Sequence, residues 1–384
     1  MSRILMLCDW LPPDFGAVGQ YAVGFASELA EAGHAVTLVG FSSTVASEME
    51  TAHGEGRLVI RRIHRPLEIR RDFATRVSWM LRANLALLWG SWHEFRTADE
   101  VRFTGSPAYL LHFVMPVAKA LGLRTRYRIT DFHPEWLIAR LGRTPWWLKP
   151  VVALTRFWRR RVDLIEVLGE DQRLRLAESG VDPARIELRR DPSPVRFAAG
   201  MRAASPPPAL AGRKIVMYSG NWGVPHDHET FLAGYEQFCR LHPLASGVWL
   251  NADGTRLGLV ESELVRRGLL FARTGLAPLE ELPAILAAAD VHLVTLCDAF
   301  VGYALPSKVY ACVASGKPVL FVGSARSDVH LVCTEGLPAS SYRRVDVGDA
   351  EGVARALQQL LIGASERRRL PAEAGPTGGL EASG

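Results

Sequence analysis

The chain has 384 residues and a mass of 42.3 kDa, a length that predicts two or three domains. Apolar residues make up 48% and charged residues 22%, a balance that supplies ample core material and excludes a disordered or fibrous chain. The formal net charge is +5 and the isoelectric point is about 9.1, which is low for a nucleic-acid-binding protein of this size, so the charge matters only where it is clustered.

The number and spacing of the cysteines and the lengths of the apolar segments indicate the cellular compartment. The five cysteines are odd in number and form no C-x-x-C pair, which predicts a reducing compartment and no structural metal. The apolar run Ile4–Cys8 is shorter than the apolar region of a signal peptide, and no charge-free stretch reaches the roughly 20 residues that span a bilayer. The sequence therefore predicts a cytoplasmic protein, and attachment to a membrane surface stays open.

The first half of the chain alternates strand and helix patterns. Strand Ile4–Cys8 leads through the Pro- and Gly-rich loop 9–19 into a helix over 20–32, and residues 34–39 form the next strand. This order predicts a parallel sheet with right-handed crossovers. The other predicted elements of this half are strand 58–60, helix 73–95, strand 101–103, helix 108–121, strand 125–129, helix 146–161 and strand 164–168.

A stretch rich in Pro, Ala and Ser over 191–212 is the predicted linker, after which the alternation restarts. The predicted elements of the second half are strand 214–218, helix 227–240, strand 246–251, strand 269–271, helix 278–289, strand 291–296, helix 307–315 and strand 318–322. Composition predicts a disordered tail over 369–384. We therefore expect an α/β protein with two doubly wound, Rossmann-like domains over 1–190 and 213–368.

In sheets of this kind, ligands bind at the carboxyl ends of strands, near the point where the strand order reverses. Gly16 and Gly19 lie just before the first helix, where small residues let a ligand reach backbone N–H groups; a plain turn is the alternative. The fingerprint G-x-G-x-x-G is absent, so hydride transfer with a nicotinamide cofactor loses its main sequence support.

The second half repeats this arrangement ahead of its first helix. Gly220 and Gly223 enclose Asn221 and Trp222, and the helix begins near Asp227. A diphosphate at this point would be stabilised by the helix dipole and by free backbone N–H groups. The alternative for Asp227 is a structural role as the N-cap of the helix.

Two further loops carry groups of chemical interest. Asp131, His133 and Glu135 lie within five residues at a strand end, a usual place for a base that activates a hydroxyl; capping by the two carboxylates is the alternative. Lys308 lies in the first turn of the helix that follows Pro306, where its charge opposes the helix dipole. A bound anion would offset this misplacement, and a tolerated surface lysine is the alternative.

Six short motifs follow one another along the chain, each between a predicted strand and a predicted helix or within one of them. They are DWLPPDFGAVGQYA from residue 9, TGSP from 104, TDFHPE from 130, YSGNWG from 218, ADVHLV from 289 and ALPSKVYACVASGKPV from 304. Together they cover most of residues 1–365, and the chain that carries them resembles the retaining GT-B glycosyltransferases of family 4. The resemblance is strongest to the branch that assembles bacterial exopolysaccharide and O-antigen.

This resemblance implies two Rossmann-like domains facing across a cleft, with a UDP- or GDP-linked sugar donor as substrate and no cofactor. It implies donor contacts for Gly16, Gly19, Gly220, Asn221, Trp222, Gly223, Arg273, Thr274, Pro306, Ser307 and Lys308. It implies catalytic roles for His133, with Asp131 as its competitor, and for Lys308, and it places Ser106 and Glu135 on the acceptor side. No D-x-D motif occurs, which is consistent with metal-independent transfer if the helix dipole and a cation neutralise the leaving diphosphate.

One departure from the family pattern weakens this assignment. Many members carry an E-x7-E pair, whose two positions fall here at Tyr303 and Ala311. Neither glutamate is present, so the ribose and sugar contacts made by those glutamates cannot be transferred to this chain.

The basic charge is concentrated between Trp136 and Val162, a stretch with seven cations, no acidic residue and four of the ten tryptophans. A basic amphipathic helix with flanking tryptophans lies readily in the interface of an anionic membrane, whereas a solvated charged face over core tryptophans is the alternative. The expected membrane contacts are Arg143, Trp146, Trp147, Lys149, Arg156, Trp158, Arg159 and Arg160. Nucleic acid would also bind such a patch, but no other feature of the sequence supports it.

Three hypotheses follow. The preferred one is a glycosyltransferase at the inner face of the plasma membrane that acts on a polyprenyl-linked saccharide. The second is a nucleotide-sugar epimerase-like enzyme of the same fold, which needs acidic catalytic residues. The third is a non-catalytic relative that acts as an assembly partner, because both glutamates are missing.

Overall fold

The computed structural model describes residues 1–14, 17–44, 46–66 and 73–362. The chain divides into two compact units. Unit 1 comprises Met1–Pro192, Asp298–Ser307 and Arg326–Asp328, and unit 2 comprises Ser193–Cys297, Lys308–Ala325 and the chain from Val329 onward. Gly16 and the expected tail over 369–384 lie outside the described residues.

The first half of the chain contains the strands and helices that the sequence predicts, together with some that it does not. They are β1 (Arg3–Trp10), α1 (Ala17–Glu31), β2 (Ala35–Ser42), β3 (Ser47–His53), β4 (Gly56–His64), α2 (Phe73–Gly90), α3 (Trp92–Thr97), β5 (Glu100–Thr104), α4 (Leu111–Ala120), β6 (Arg124–Ile129), α5 (Glu135–Leu141), α6 (Lys149–Arg159), β7 (Leu164–Val167), α7 (Glu170–Glu178) and β8 (Ile186–Leu188). The eight strands form one sheet in the order β3-β4-β2-β1-β5-β6-β7-β8, and all neighbours are parallel except β3 and β4.

The two faces of this sheet are covered differently. One face packs on α2, α3, α4 and α7 through a continuous apolar core that includes Leu5, Phe103 and Ile165. The opposite face packs on α1 through a smaller core, which includes Met6 and Leu38 of β1 and β2. Burial of these apolar side chains provides the main stabilisation, at roughly 25 cal/mol per Å² of apolar surface removed from water.

The second half repeats the strand–helix alternation. Its elements are β9 (Lys214–Asn221), α8 (Glu229–Leu241), β10 (Ser246–Asp253), α9 (Leu257–Arg266), β11 (Phe271–Thr274), α10 (Leu282–Ala287), β12 (Val291–Thr295), α11 (Lys308–Ala314), β13 (Val319–Val322), α12 (Asp328–Gly336), β14 (Tyr342–Val345) and α13 (Ala350–Leu357). The six strands form a parallel sheet in the order β11-β10-β9-β12-β13-β14. The predicted α/β class, with two doubly wound parallel sheets, is confirmed.

Some predicted elements differ in extent. The segment 73–95, expected to form one helix, forms two, because α2 ends at Gly90 and α3 begins at Trp92. The helix expected over 146–161 starts with a 3₁₀ turn at Trp146–Leu148, and α6 itself begins at Lys149. Strand β3 was missed because its residues are almost all exposed at the sheet edge and show no apolar alternation.

Candidate functional site

The strand order of unit 1 reverses between β1 and β5, so the carboxyl ends of these strands are the expected ligand edge. Asp9 lies at the end of β1, and Ser106 follows β5. The Ser106 hydroxyl donates to Oδ2 of Asp9 at 2.5 Å. The other carboxylate oxygen, Oδ1, is buried and has no hydrogen-bond partner among the described residues, so it is free to accept one from a ligand.

Asp9 is a functional candidate that the sequence analysis missed. Burial raises the pKa of its carboxyl, the hydrogen bond from Ser106 opposes that rise, and the negative charge of Asp131 adds to it. A carboxyl with a raised pKa at a ligand edge is suited to accept or share a proton. The available signal was an acid at the end of the otherwise apolar strand ILMLCD.

Asp131 and His133 follow β6 at the same edge of unit 1. Crowding by protein atoms raises the pKa of the Asp131 carboxyl, which still contacts water, and the charge of His133 opposes that rise. Burial lowers the pKa of His133, whose ring centroid lies 5.6 Å from that of Tyr109 and 6.3 Å from that of Trp136. The structure thus brings Asp131 and His133 together, and places Asp9 on the same edge.

Glu135 and Arg159 form a bidentate ion pair beneath this edge. The Arg159 guanidinium donates to both Glu135 carboxylate oxygens at 2.6 and 3.1 Å, and to the backbone carbonyl of His133 at 2.9 Å. The Arg159 side chain is only 1% exposed, so its expected contact with a membrane is wrong. This pair holds the Glu135 carboxylate in place and indicates a positioning role for it, while its expected contact on the acceptor side stays a prediction.

The strand order of unit 2 reverses between β9 and β12, and polar groups again gather at the carboxyl ends. Gly220 has a φ of 117°, and a Cβ at that position would lie 3.5 Å from Cε of Lys308. The Lys308 ammonium donates to the Asn221 carbonyl at 3.4 Å and lies 3.5 Å from the centroid of the Tyr218 ring. Protein atoms around the ammonium displace water that would stabilise its charge, and this desolvation lowers the pKa of Lys308 to about 7.

His226 stands beside this lysine as a neutral ring. Burial and the nearby Lys308 charge lower its pKa well below the usual value. Its Nδ1 lies 2.7 Å from the Thr295 carbonyl oxygen, and because a carbonyl only accepts, Nδ1 carries the proton. The Nε2 atom is therefore the acceptor of the ring.

Three of the residues considered in the sequence have a structural role in packing or capping. The Trp222 indole is fully buried and stacks on Tyr218 with ring centroids 3.8 Å apart, so its side chain faces the core. A Cβ at Gly19 would lie 1.8 Å from the Trp10 carbonyl oxygen, so this glycine is needed for close packing of α1 on β1. Asp227 accepts from the Thr230 backbone N–H at 3.1 Å, which supports the N-cap alternative.

Arg273 and Thr274 lie within β11 rather than in the loop after it, because the strand runs three residues further than expected. Arg273 pairs with Glu261 at 3.2 Å, and the Thr274 hydroxyl accepts from the Trp249 indole N–H at 2.9 Å. Both side chains are therefore engaged inside unit 2. Gly223 lies between β9 and α8 in unit 2, whereas Pro306 and Ser307 belong to unit 1.

The basic stretch forms an exposed surface around α6. Trp146 is 81% exposed and Trp147 is 44% exposed, and the side chains of Arg143, Lys149 and Arg156 are exposed as well. Trp158 is half-buried against the core, and Arg160 donates to the Ser179 carbonyl at 2.8 Å. Large apolar side chains are also exposed on α2 and α3, which the sequence analysis missed: Leu81, Leu85, Trp89 and Trp92.

Two kinds of feature are absent from the part of the chain that the structure describes. No group of His, Cys, Asp or Glu side chains in that part of the chain is arranged to hold a metal ion. No helix there is long and apolar enough to cross a membrane.

Two doubly wound parallel sheets, each with polar groups at its switch point, define the GT-B architecture, and comparison with solved structures confirms it. The chain is similar to an Escherichia coli protein described as trehalose-6-phosphate bound with UDP-2-fluoro glucose, at 15% identity and a TM-score of 0.63, over 95% of this chain and 93% of that one. It is also similar to HepE of Anabaena in complex with UDP and glucose, at 11% identity and a TM-score of 0.61, over 96% and 95% of the two chains.

One curated relative points in the same direction. The chain is 26% identical over 251 residues to WbjE of Pseudomonas aeruginosa, a probable glycosyltransferase. The match covers 62% of this chain and 61% of the relative, so the chain spans less than two thirds of its length. No family model matches the chain. The resemblance to GT-B glycosyltransferases is thus confirmed in the fold and supported by this relative.

Proposed function

We propose that the protein is a glycosyltransferase that takes its sugar from a nucleotide-sugar donor, with UDP as the preferred nucleotide. The observation that carries this proposal is the placement of Lys308 beside Gly220 and Asn221 at the switch point of unit 2. A cation next to a glycine backbone, at the carboxyl ends of parallel strands, is suited to a diphosphate. The UDP and UDP-sugar complexes of the structurally similar proteins support the same donor chemistry.

Lys308 and nearby backbone amides stabilise the negative charge that develops on the leaving nucleoside diphosphate. A fixed cation in a partly dry environment needs no reorganisation at the moment of transfer, so it lowers the barrier. With this cation present, the proposed transfer proceeds without a metal ion. It retains the anomeric configuration of the sugar, as the resemblance to family 4 implies.

The acceptor hydroxyl binds at the acidic edge of unit 1. Asp9 offers an unpartnered carboxylate oxygen, and Asp131 and His133 provide further polar groups at the same edge. These groups orient the hydroxyl and take part in its deprotonation. We expect a polyprenyl-linked saccharide as acceptor, in the synthesis of a cell-surface polysaccharide.

We expect the protein to attach to the inner face of the plasma membrane, and the exposed surface around α6 supports this part of the proposal. Trp146 and Trp147 provide apolar area at the interface, while Arg143, Lys149 and Arg156 attract anionic headgroups. Such a surface would bring the protein to a lipid-linked acceptor.

The test is a transfer assay with a panel of UDP- and GDP-sugars and polyprenyl-diphosphate sugar acceptors. We expect release of the nucleoside diphosphate that depends on the acceptor, and a product whose anomeric configuration, measured by NMR, is that of the donor. If no donor is bound or consumed by the purified protein, the proposed function is wrong and a non-catalytic role takes its place.

A second candidate is an epimerase-like enzyme acting on a nucleotide sugar, favoured by the two neighbouring carboxyls Asp9 and Asp131. The same assay distinguishes it. An epimerase converts the donor without any acceptor, whereas the proposed transferase leaves the sugar configuration of the unreacted donor unchanged.

A further inference from the structure

A pocket lies within unit 1, between α1 and the sheet. It encloses about 190 Å³ of space open to water, room for about six water molecules. Val18, Tyr21 and Ala22 of α1 form one wall, and the strands β5, β6 and β7 form the opposite wall. Thr130 and Asp131 also line it, so the pocket extends to the acidic edge.

The sheet wall of this pocket is ionic where an apolar wall is expected. Met6 of β1 is in register with Arg102 of β5, and Arg102 with Arg126 of β6, so the same face of one sheet changes from apolar to charged between neighbouring strands. Beneath the rest of α1 the face is apolar. The charged side chains that line the pocket are Arg102, Arg126, Arg128, Arg189, Asp131, Glu166 and Asp191.

Three of these side chains are more than nine-tenths buried and are joined by ion pairs. Arg128 donates to Glu166 at 3.0 Å and to Asp191 at 2.6 Å, and the exposed fractions of the three side chains are 9%, 5% and 5%. A buried ion network gains little stability over well-packed apolar side chains of similar volume. The charged wall therefore points to a ligand rather than to folding as its reason.

The balance of charges selects the class of ligand. Carboxylates in the wall repel a simple anion, and arginines repel a simple cation, whereas hydroxyl groups both donate to carboxylates and accept from guanidinium groups. The apolar wall of Val18 and Tyr21 suits the C–H face of a ring, and the Tyr21 hydroxyl is fixed by donation to the Pro192 carbonyl at 3.0 Å. A neutral, ring-shaped polyol meets both walls.

We propose that this pocket binds one sugar ring of the acceptor saccharide. The inference rests on the proposed function in one respect, the assignment of that sugar to the acceptor. Because the pocket extends to Asp131, a sugar bound in it presents its hydroxyls to the acidic edge of unit 1. Arg128, Glu166 and Asp191 are then specificity-determining residues for the acceptor.

The first test measures binding without any donor. Saturation-transfer NMR uses the methyl glycosides of glucose, galactose, mannose, N-acetylglucosamine, rhamnose and fucose as probes. We expect at least one glycoside to bind, and Val18→Phe, which fills the pocket without removing a polar group, to weaken that binding by about tenfold or more. Gly24→Ala is the matched control on α1, because a Cβ at Gly24 meets no atom within 4 Å.

Titration with UDP separates this inference from the proposed function. We expect UDP to bind wild type, Val18→Phe and Gly24→Ala equally. Binding of UDP without binding of any glycoside, or equal glycoside binding by Val18→Phe and wild type, overturns the pocket assignment and leaves the donor site intact. Binding of a glycoside that Val18→Phe abolishes, without any binding of UDP, supports the pocket and contradicts the proposed donor.

A polar variant tests the charged wall in the same way. Glu166→Gln keeps the shape of the side chain and one acceptor for Arg126 or Arg128 but removes the charge. In a transfer assay we expect the KM for the acceptor to rise about tenfold, with kcat and the Kd for UDP unchanged. A fall in kcat at constant KM would assign Glu166 a role other than acceptor binding.

Discussion

The two sheets are both doubly wound, yet their ligand edges have opposite chemistry. The edge of unit 1 gathers Asp9, Asp131 and His133, while the edge of unit 2 offers Lys308 beside the glycine backbone at Gly220. The same sheet architecture thus presents proton acceptors in unit 1 and a site for an anion in unit 2. The difference arises in a few loop residues, which is why the fold by itself does not determine the reaction.

The largest expected effect concerns the support of the acidic edge. Arg159→Ala leaves Glu135 without its partner and the His133 carbonyl without a donor, so we expect a loss of about 3 kcal/mol in the free energy of unfolding, measured by urea denaturation. Arg156→Ala, three residues earlier and exposed, is the control and should stay within about 0.5 kcal/mol. Equal stability of the two variants would show that the ion pair does not hold this edge.

Removal of the positive charge of Lys308 tests the proposed anion site at the ligand edge of unit 2. Lys308→Ala should lower kcat/KM for transfer about 10²-fold or more, because the leaving diphosphate loses its fixed positive charge. The control is Lys214→Ala at the amino end of β9, where the lysine pairs with Asp290 at 3.0 Å. Unchanged kinetics for Lys308→Ala would refute the donor assignment.

The lowered pKa of Lys308 makes nucleotide binding depend on pH. The free protein carries this lysine with a pKa of about 7, and a bound diphosphate favours the charged form, so binding above pH 7 requires uptake of a proton. We expect the Kd for UDP to be constant below pH 7 and to rise about tenfold per pH unit above it, measured by calorimetry. Lys308→Arg should remove this dependence, since a guanidinium stays protonated.

The substitution Asp9→Asn is expected to slow transfer without lowering the stability of the fold. Asp9→Asn retains an acceptor for the Ser106 hydroxyl but removes a buried charge, whose raised pKa marks the ionised form as destabilised in the folded state. We expect an unchanged or higher Tm together with transfer about tenfold slower. Slower transfer together with a lower Tm would instead assign Asp9 a structural role.

The smallest expected effect concerns the surface around α6. Arg156→Ala should weaken binding to vesicles containing phosphatidylglycerol about fivefold, close to 1 kcal/mol for one cation, with little effect on neutral vesicles. Arg240→Ala removes an equally charged and 71% exposed side chain from α8 and serves as the control. If flotation with liposomes does not depend on anionic lipid, the membrane proposal fails.

The fold class was predictable because apolar periodicity and Gly or Pro breaks mark most of the buried strands and several of the helices of the two sheets, whereas the exposed strand β3 carries no such pattern. Gly220 was identified from its position after a predicted strand and Lys308 from its place in the first turn of a helix, and the structure brings them together. Side-chain direction was not available from the sequence: Arg159 and Arg156 look alike in it, yet one is buried and the other exposed. Trp222 was misassigned for the same reason, since a tryptophan in a loop gives no sign that its ring folds back onto Tyr218.

The distribution of the tryptophans has a spectroscopic consequence. The four most exposed indoles, those of Trp89, Trp92, Trp146 and Trp147, all belong to unit 1, whereas unit 2 keeps both Trp222 and Trp249 buried. An aqueous quencher such as acrylamide therefore reaches mainly the emission of unit 1 while the protein is folded. The unmodified protein thus carries its own reporter: a blue shift with loss of quenching on vesicles marks contact of unit 1 with lipid, and a red shift with gain of quenching marks unfolding.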